Sequence, residues 1–345
     1  MRYPSFLKPG DRIGFIAPSF GAVMEPYHTL FLNTVKKFED MGYKTVLGPN
    51  CFMDKGIGKS NTPEKCAEEI NEFFTENKCD IIISCGGGET MCEDLPFVDF
   101  DAIASHTPIW YLGYSDNTNL TALLPTLANT AAIYGPCASS FGMEPWHSAI
   151  EDAFLLLKGE KLTFKNYDLW EKEDPKSDDI FAPYNVTEPF DMKIYDPLKD
   201  GYVSEAAFSG RVIGGCLDCL QNLCGTGFDK FVSFGEKYRD DGIIWFFEAC
   251  DLNPMGIRRA LWQLDNAGWF RHVKGFLVGR PLQIDANGMG FDRFSAVTGV
   301  LQKYKVPILF DLDIGHLPPM MPMITGAMAN VKAVNNEIKI SYRLE

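Results

Sequence analysis

Two hydrophobic periods alternate along the first 135 residues. Residues 12–18, RIGFIAP, form a near-continuous apolar run and predict a buried strand. The following stretch, 26–42, places Leu30, Phe31, Val35 and Phe38 on one face of a helix. Residues 44–48 predict a second short strand. Thr62 stands where an N-cap belongs, with Pro63 at the first position of a helix running to Asn77. Residues 80–84, 108–113 and 131–135 predict further strands, and residues 117–129 a helix after the second of these. Strands that are apolar on both faces, each followed by a helix, indicate a parallel sheet covered on both sides. Ligands on such sheets sit at the carboxyl ends of the strands. The glycine run Gly86–Gly88 and Ser115 both fall at those ends.

The periodicity lapses over 164–207, which is rich in charge, Pro and Asp and reads as a linker or a long ordered loop. Its large aromatics, Trp170, Phe181 and Tyr184, are of the kind that pin a loop to a protein body or contact a ligand. From 208 the pattern resumes. Strands are predicted over 210–215, 242–249, 274–281 and 307–313, and helices over 254–268 and 293–305. Two alternating stretches at the end, joined through Asn335-Asn336, predict a hairpin. The expected fold class is α/β, with an N-terminal parallel-sheet, Rossmann-like domain over 1–163. The segment 164–207 links it to a C-terminal mixed α/β domain over 208–345.

Composition narrows the function classes. The 345 residues are 46% hydrophobic and 23% charged, as in an ordinary globular protein long enough for two domains. A formal net charge of −14 argues against a nucleic-acid polymer as partner, because no basic patch is available to release counterions. No run approaches the roughly 18 apolar residues of a membrane span, and the N-terminus lacks signal-peptide character. A cytoplasmic protein is expected, with its 10 cysteines reduced. Cys216, Cys219 and Cys224 are spaced like a metal knuckle but lack a second knuckle or nearby histidines, and read as helical thiols.

Ser115, in LGYSDN, lies on a strand-to-helix turn. A serine there is either a helix cap or a nucleophile whose hydroxyl stands above the sheet, with the Asp116 amide placed to stabilise an oxyanion. The pattern lacks the second glycine of the common nucleophile elbow. The bare backbone of Gly87 and Gly88 is suited to supplying a second oxyanion donor. It is not a dinucleotide fingerprint, since the last required glycine falls on Met91. GIGKS at 56–60 imitates a phosphate loop, but its first glycine falls on Met53. Among His28, His106, His147, His272 and His316, only His316 occupies a rigid frame, Gly-His-Leu-Pro-Pro, after an apolar strand. Glu248 ends the buried run IIWFF. It is either an ion-pair partner of Arg258 or Arg259, or the carboxylate that orients a catalytic histidine.

Taken together, these motifs resemble the LD-carboxypeptidase family, which includes muramoyltetrapeptide carboxypeptidases and microcin C self-immunity peptidases. LKPGDRIGFIAPS, SCGGGET, LGYSDNTNL, GRVIGGCLDCLQNLCGT, FFEACDLNPMGIRRALWQL, VGRP and GHLPPMMPMITGAMANV carry the resemblance, which spans nearly the whole chain. It implies a class I glutamine amidotransferase-like first domain and a Ser–His–Glu triad of Ser115, His316 and Glu248. Asp116, Gly87 and Gly88 would form the oxyanion hole; no cofactor or metal is implied, and a homodimer is. The loop Cys85-Gly86-Gly87-Gly88-Glu89-Thr90 departs from the Arg-Gly-Gly-Tyr-Gly-like loop of muropeptide-cleaving members. It looks closer to the microcin-immunity branch, whose substrate is a peptidyl-nucleotide conjugate. There Glu89 and Trp170 are candidate substrate contacts, the indole stacking on a base. A cell-wall tetrapeptide stays open as substrate. A serine esterase of α/β-hydrolase type and a non-catalytic ligand-binding module are the competing readings.

Overall fold

A computed structural model of the chain describes residues 1–172, 179–199, 201–286 and 288–344. It divides into two compact units. One takes Met1–Lys161 and the stretch ending at Asn185; the other takes Leu162–Lys172 and everything from Val186 onward.

In the first unit, strands β1 (Arg12–Ile16), β2 (Lys44–Leu47), β3 (Ile81–Ser84), β4 (Trp110–Gly113) and β5 (Ala132–Tyr134) pair in parallel in the order β5-β4-β3-β1-β2. β3 and β4 are buried along their whole length, as their unbroken apolar runs require. Helices Tyr27–Asp40 and Pro63–Thr75 follow β1 and β2. Thr62 does occupy the N-cap, with extended backbone, but its hydroxyl makes no capping bond. The helix expected over 117–129 is broken into a 3₁₀ turn, Ser115–Asn117, and two short helices, Thr118–Thr121 and Leu123–Leu127. Pro125 accounts for the break, since it cannot donate to the carbonyl one turn back and crowds it.

The second unit is built on a sheet of β6 (Thr163–Lys165), β7 (Lys193–Asp196), β8 (Gly201–Val203), β9 (Glu205–Cys216), β10 (Ile243–Glu248), β11 (Val273–Gly279), β12 (Ile308–Leu312), β13 (Met328–Val334) and β14 (Glu337–Arg343). Their order is β8-β7-β12-β11-β10-β9-β13-β14-β6. β9 to β12 run parallel and the flanking strands antiparallel, giving the mixed sheet expected. Asn335 and Asn336 both have positive φ, 48° and 68°, which suits the tight hairpin between β13 and β14. The stretch read as a linker supplies the edge strands β6 and β8, the short strand β7 next to β8, and a small ribbon of Leu169–Trp170 with Glu188–Pro189. Short polar edge strands leave little periodicity to read. Its residues 173–178 and 200 lie outside the described residues. Among the described residues no helix is long and apolar enough to cross a membrane.

An aromatic stack anchors β10. Trp245 stacks on Trp269 at 5.6 Å between ring centroids, and Trp269 on Phe231 at 3.9 Å. Trp269 is buried, and its indole N–H donates to Asp229 Oδ2 at 3.1 Å. Trp269→Ala is expected to destabilise the second unit by about 3–5 kcal/mol, read as a lower urea midpoint. A loss below about 1 kcal/mol, the scale of a surface change, would contradict this packing role.

Candidate active site

β4 ends at Gly113, Tyr114 remains extended, and Ser115 turns the chain with φ 62°. A left-handed non-glycine residue costs on the order of 1–3 kcal/mol and persists only where its surroundings impose it. Here they do. The Ser115 N–H donates to Tyr134 Oη at 3.1 Å, tying the turn to the end of β5. Asn117 Nδ2 donates to the Tyr114 carbonyl at 2.9 Å and to the Gly86 carbonyl at 2.8 Å, while Tyr111 Oη donates to Asn117 Oδ1. The turn is thereby stitched to its own strand and to the loop after β3.

That loop lies against the serine. A Cβ on Gly87 would stand 3.0 Å from Ser115 Cβ and 3.2 Å from Ser115 Oγ. Gly88 has φ 151°, and a Cβ there would fall 1.9 Å from Ser19 Oγ. A side chain at Gly87 would press on Ser115, and one at Gly88 would collide with Ser19 at a backbone angle that L-residues rarely adopt, so bare glycines suit both positions. Glu89, the next residue, is exposed.

Asp116 is the residue whose part the sequence understated. Its amide was the expected contribution, but its buried carboxylate carries more structure. Oδ2 accepts from Ser19 Oγ at 2.6 Å and from the Met91 N–H at 2.9 Å, and Oδ1 accepts from Asn119 Nδ2 at 3.0 Å. Asn117 is expected from the sequence only to start the helix, not to bond the Gly86 and Tyr114 carbonyls, and Ser19 was missed altogether. The only signal for Ser19 was its place just beyond β1, at a third strand's carboxyl end.

In the second unit, Glu248 ends β10 and is buried, and His316 follows β12 in the turn that begins at Gly315. The His316 Nδ1 lies 2.8 Å from Glu248 Oε2. A Cβ on Gly315, where φ is 108°, would fall 2.6 Å from Glu248 Oε2, so only glycine admits this approach. Burial pulls the imidazole's pKa down, but the Glu248 charge and bonds to Cys250 and Glu248 more than offset it. The ring is held well above the ordinary histidine value. The pairing bears on the alternative of an ion pair between Glu248 and Arg258 or Arg259, since Arg258 donates instead to the Ser295 carbonyl at 3.1 Å.

Asp218 holds the loop after Glu248. Its carboxylate accepts from the N–H groups of Cys250 at 3.1 Å, Asp251 at 2.9 Å and Leu252 at 3.2 Å. Its place inside the cysteine-spaced motif hid it. Trp170 is buried; its indole N–H donates to the Pro189 carbonyl at 3.1 Å, and the Arg280 guanidinium lies 4.8 Å from its ring centre. Arg280 is in turn paired with Asp313, which accepts from the Tyr167 N–H at 2.8 Å. Ser115, Asp116, Gly87 and Gly88 thus meet within the first unit, and Glu248 and His316 within the second. Among the described residues no group of three or more His, Cys, Asp or Glu side chains is disposed to hold a metal ion.

Comparison with known proteins places this geometry in a family. The chain is 28% identical over 344 residues to the microcin C7 self-immunity protein MccF of Escherichia coli, covering 97% of this chain and 94% of that protein. A solved structure of MccF in complex with aspartyl sulfamoyl adenosine superposes with a TM-score of 0.82 at 25% identity, covering 99% and 98% of the two chains. An MccF-like protein from Bacillus anthracis shares the fold, with a TM-score of 0.78 at 21% identity over 99% of this chain and all of that one. Residues 13–135 match the LD-carboxypeptidase N-terminal domain and residues 209–331 the LD-carboxypeptidase C-terminal domain. The chain therefore belongs to the LD-carboxypeptidase family, peptidase family S66.

Proposed function

We propose that the protein is a serine peptidase that hydrolyses an amide bond near the C-terminal end of a small peptide or peptide conjugate. The observation that carries this reading is the serine itself. Ser115 sits in a left-handed turn at a strand's carboxyl end with a glycine backbone packed on its hydroxyl. In the proposed reaction Ser115 Oγ attacks the substrate carbonyl while His316 Nε2 takes its proton. Glu248, bonded at Nδ1, directs the basic lone pair to Nε2 and stabilises the imidazolium. The oxyanion is received by the Asp116 N–H and by the Gly87–Gly88 backbone. His316 then protonates the leaving amine as the C–N bond breaks. Water, deprotonated by the same imidazole, releases the acid from the Ser115 ester.

For the substrate we favour a peptidyl-nucleotide conjugate over a cell-wall tetrapeptide. The Gly86-Gly87-Gly88-Glu89 loop and the similarity to a protein solved with aspartyl sulfamoyl adenosine support this choice. Glu89, exposed beside the glycines, is the contact assigned to the acyl portion. Trp170 contributes through the loop it shapes. The protein is taken to act in the cytoplasm as a homodimer, with 1–163 as nucleophile domain, 164–207 as linker and substrate loop, and 208–345 carrying Glu248 and His316.

Mass spectrometry of products from a muropeptide tetrapeptide and aspartyl sulfamoyl adenosine, offered together, tests the assignment. Release of aspartate and sulfamoyl adenosine is expected; turnover confined to nitrophenyl esters would sink it. Ser115→Ala should lower kcat by three or more orders of magnitude, as removal of one member of a cooperating triad does. The base must be neutral to act, so activity rises with pH through the His316 pKa. Because that pKa is raised, the acid limb of kcat/KM should lie above the ordinary histidine range. In Glu248→Gln the carboxylate charge is gone and burial dominates. The residual activity's acid limb should then move to lower pH. An unmoved limb would remove Glu248 from its orienting role.

A further inference from the structure

Lys59 belongs to GIGKS, the stretch that imitates a phosphate loop without completing one. Its side chain is fully buried, paired with the equally buried carboxylate of Asp94. Lys59 Nζ also donates to the Thr90 carbonyl at 2.9 Å. Thr90 C=O and Met91 N–H are the two ends of one peptide unit. The N–H end donates to Asp116 Oδ2 at 2.9 Å. One peptide plane is therefore gripped by a cation at its oxygen and an anion at its nitrogen, each aligned with the corresponding end of its dipole.

The gripped peptide closes the glycine loop that packs on Ser115. Upstream, the loop is held by Asn117 at the Gly86 carbonyl and by the Phe20 N–H at the Gly87 carbonyl, at 2.8 and 2.9 Å. Downstream, the Thr90–Met91 grip is the counterpart. As a device for stability the Lys59–Asp94 pair is a poor one. Burying both charges costs several kcal/mol per ion, repaid only when every polar atom is satisfied. Asp94 Oδ2 has no hydrogen-bond partner among the described residues. Burial, with the charges of Asp116 and Glu93, pushes the Asp94 carboxyl up to about 7 despite the nearby ammonium. What the buried ammonium does well is fix the direction of a peptide.

We propose that Lys59 is a positioning residue for the reaction assigned above: with Asp116 it clamps the Thr90–Met91 peptide and so sets where the Gly87–Gly88 backbone stands against Ser115. The inference rests on the proposed peptidase function, because it concerns the donors that meet the oxyanion. Such donors matter in the transition state rather than in substrate binding, so their displacement lowers kcat more than it raises KM.

The comparison that isolates the ammonium is Asp94→Asn against Lys59→Met/Asp94→Asn, with aspartyl sulfamoyl adenosine as substrate. Both remove the buried Asp94 charge with its unpartnered Oδ2, and only the second removes the contact to Thr90. The double variant is expected to lose about 10–100-fold in kcat relative to Asp94→Asn, with KM within about threefold. Affinity for a peptide boronate that captures Ser115 should fall by the same factor as kcat. Backbone hydrogen exchange at Met91 should also be faster in the double variant. A folded double variant with kcat within about twofold of Asp94→Asn, or with unchanged Met91 protection, overturns the role of Lys59. Lys59→Leu/Asp94→Asn, which likewise lacks a donor to Thr90, is judged by the same criteria if the methionine variant does not fold. Near-normal turnover by Ser115→Ala would instead sink the peptidase function. An inactive Ser115→Ala beside an unaffected double variant sinks only the positioning role.

Discussion

The first unit's site depends on one buried carboxylate. Asp116 follows the strained serine directly and accepts hydrogen bonds from Ser19, Met91 and Asn119. Through Ser19 it reaches the chain after β1, and through Met91 the loop after β3. Its own backbone continues β4. Three neighbouring strand ends are thus brought to one anion. Charge-assisted bonds to a buried carboxylate are roughly twice as strong as neutral ones, and the group is costly to leave unpaired. That energy is what holds Ser115 at φ 62° and keeps the glycine backbone against its hydroxyl.

The second unit solves a different problem, that of keeping a largely enclosed imidazole basic. Burial alone would favour the neutral ring. Glu248 reverses the balance because β10 delivers it into the interior at the end of a fully buried strand, where its charge is weakly screened. The turn at Gly315 brings His316 close enough for a 2.8 Å contact, and Asp218 fastens the loop that leaves Glu248. The carboxylate is supported on both sides, by a strand before it and a three-amide grip after it. In the proposed mechanism this sets which imidazole nitrogen is available as base.

Membership of the LD-carboxypeptidase family accounts for the order of the motifs along the chain, while individual residues give the site its character. Trp170 is wedged between Arg280 and the Pro189 carbonyl, and Arg280 is itself locked by Asp313. The aromatic in the irregular loop is therefore part of the second unit's packing. Glu89 is exposed, where a polar contact to substrate costs little to present.

Short-range physics made much of this protein legible from its sequence. Largely apolar runs located β1, β3, β4, β10 and β12, because a strand buried on both faces admits few polar residues. The Asn335-Asn336 turn announced its hairpin through the positive φ that asparagine tolerates. The motifs around Ser115, Glu248 and His316 stood out because each places a polar residue at the end of an apolar strand. The short outer strands β6, β7 and β8 were not legible, since a short half-solvated strand carries almost no periodic signal. Nor was the missing capping bond at Thr62 readable, since composition says where a hydroxyl sits but not which way it turns. Only tertiary structure showed that Asp116 contributes its carboxylate and receives Ser19, that Asn117 holds the glycine loop, and that Lys59 bonds the carbonyl at its far end. Those contacts join residues 25 to 97 positions apart. Sequence spacing cannot express such separations; the sheet sets them by bringing neighbouring strand ends together.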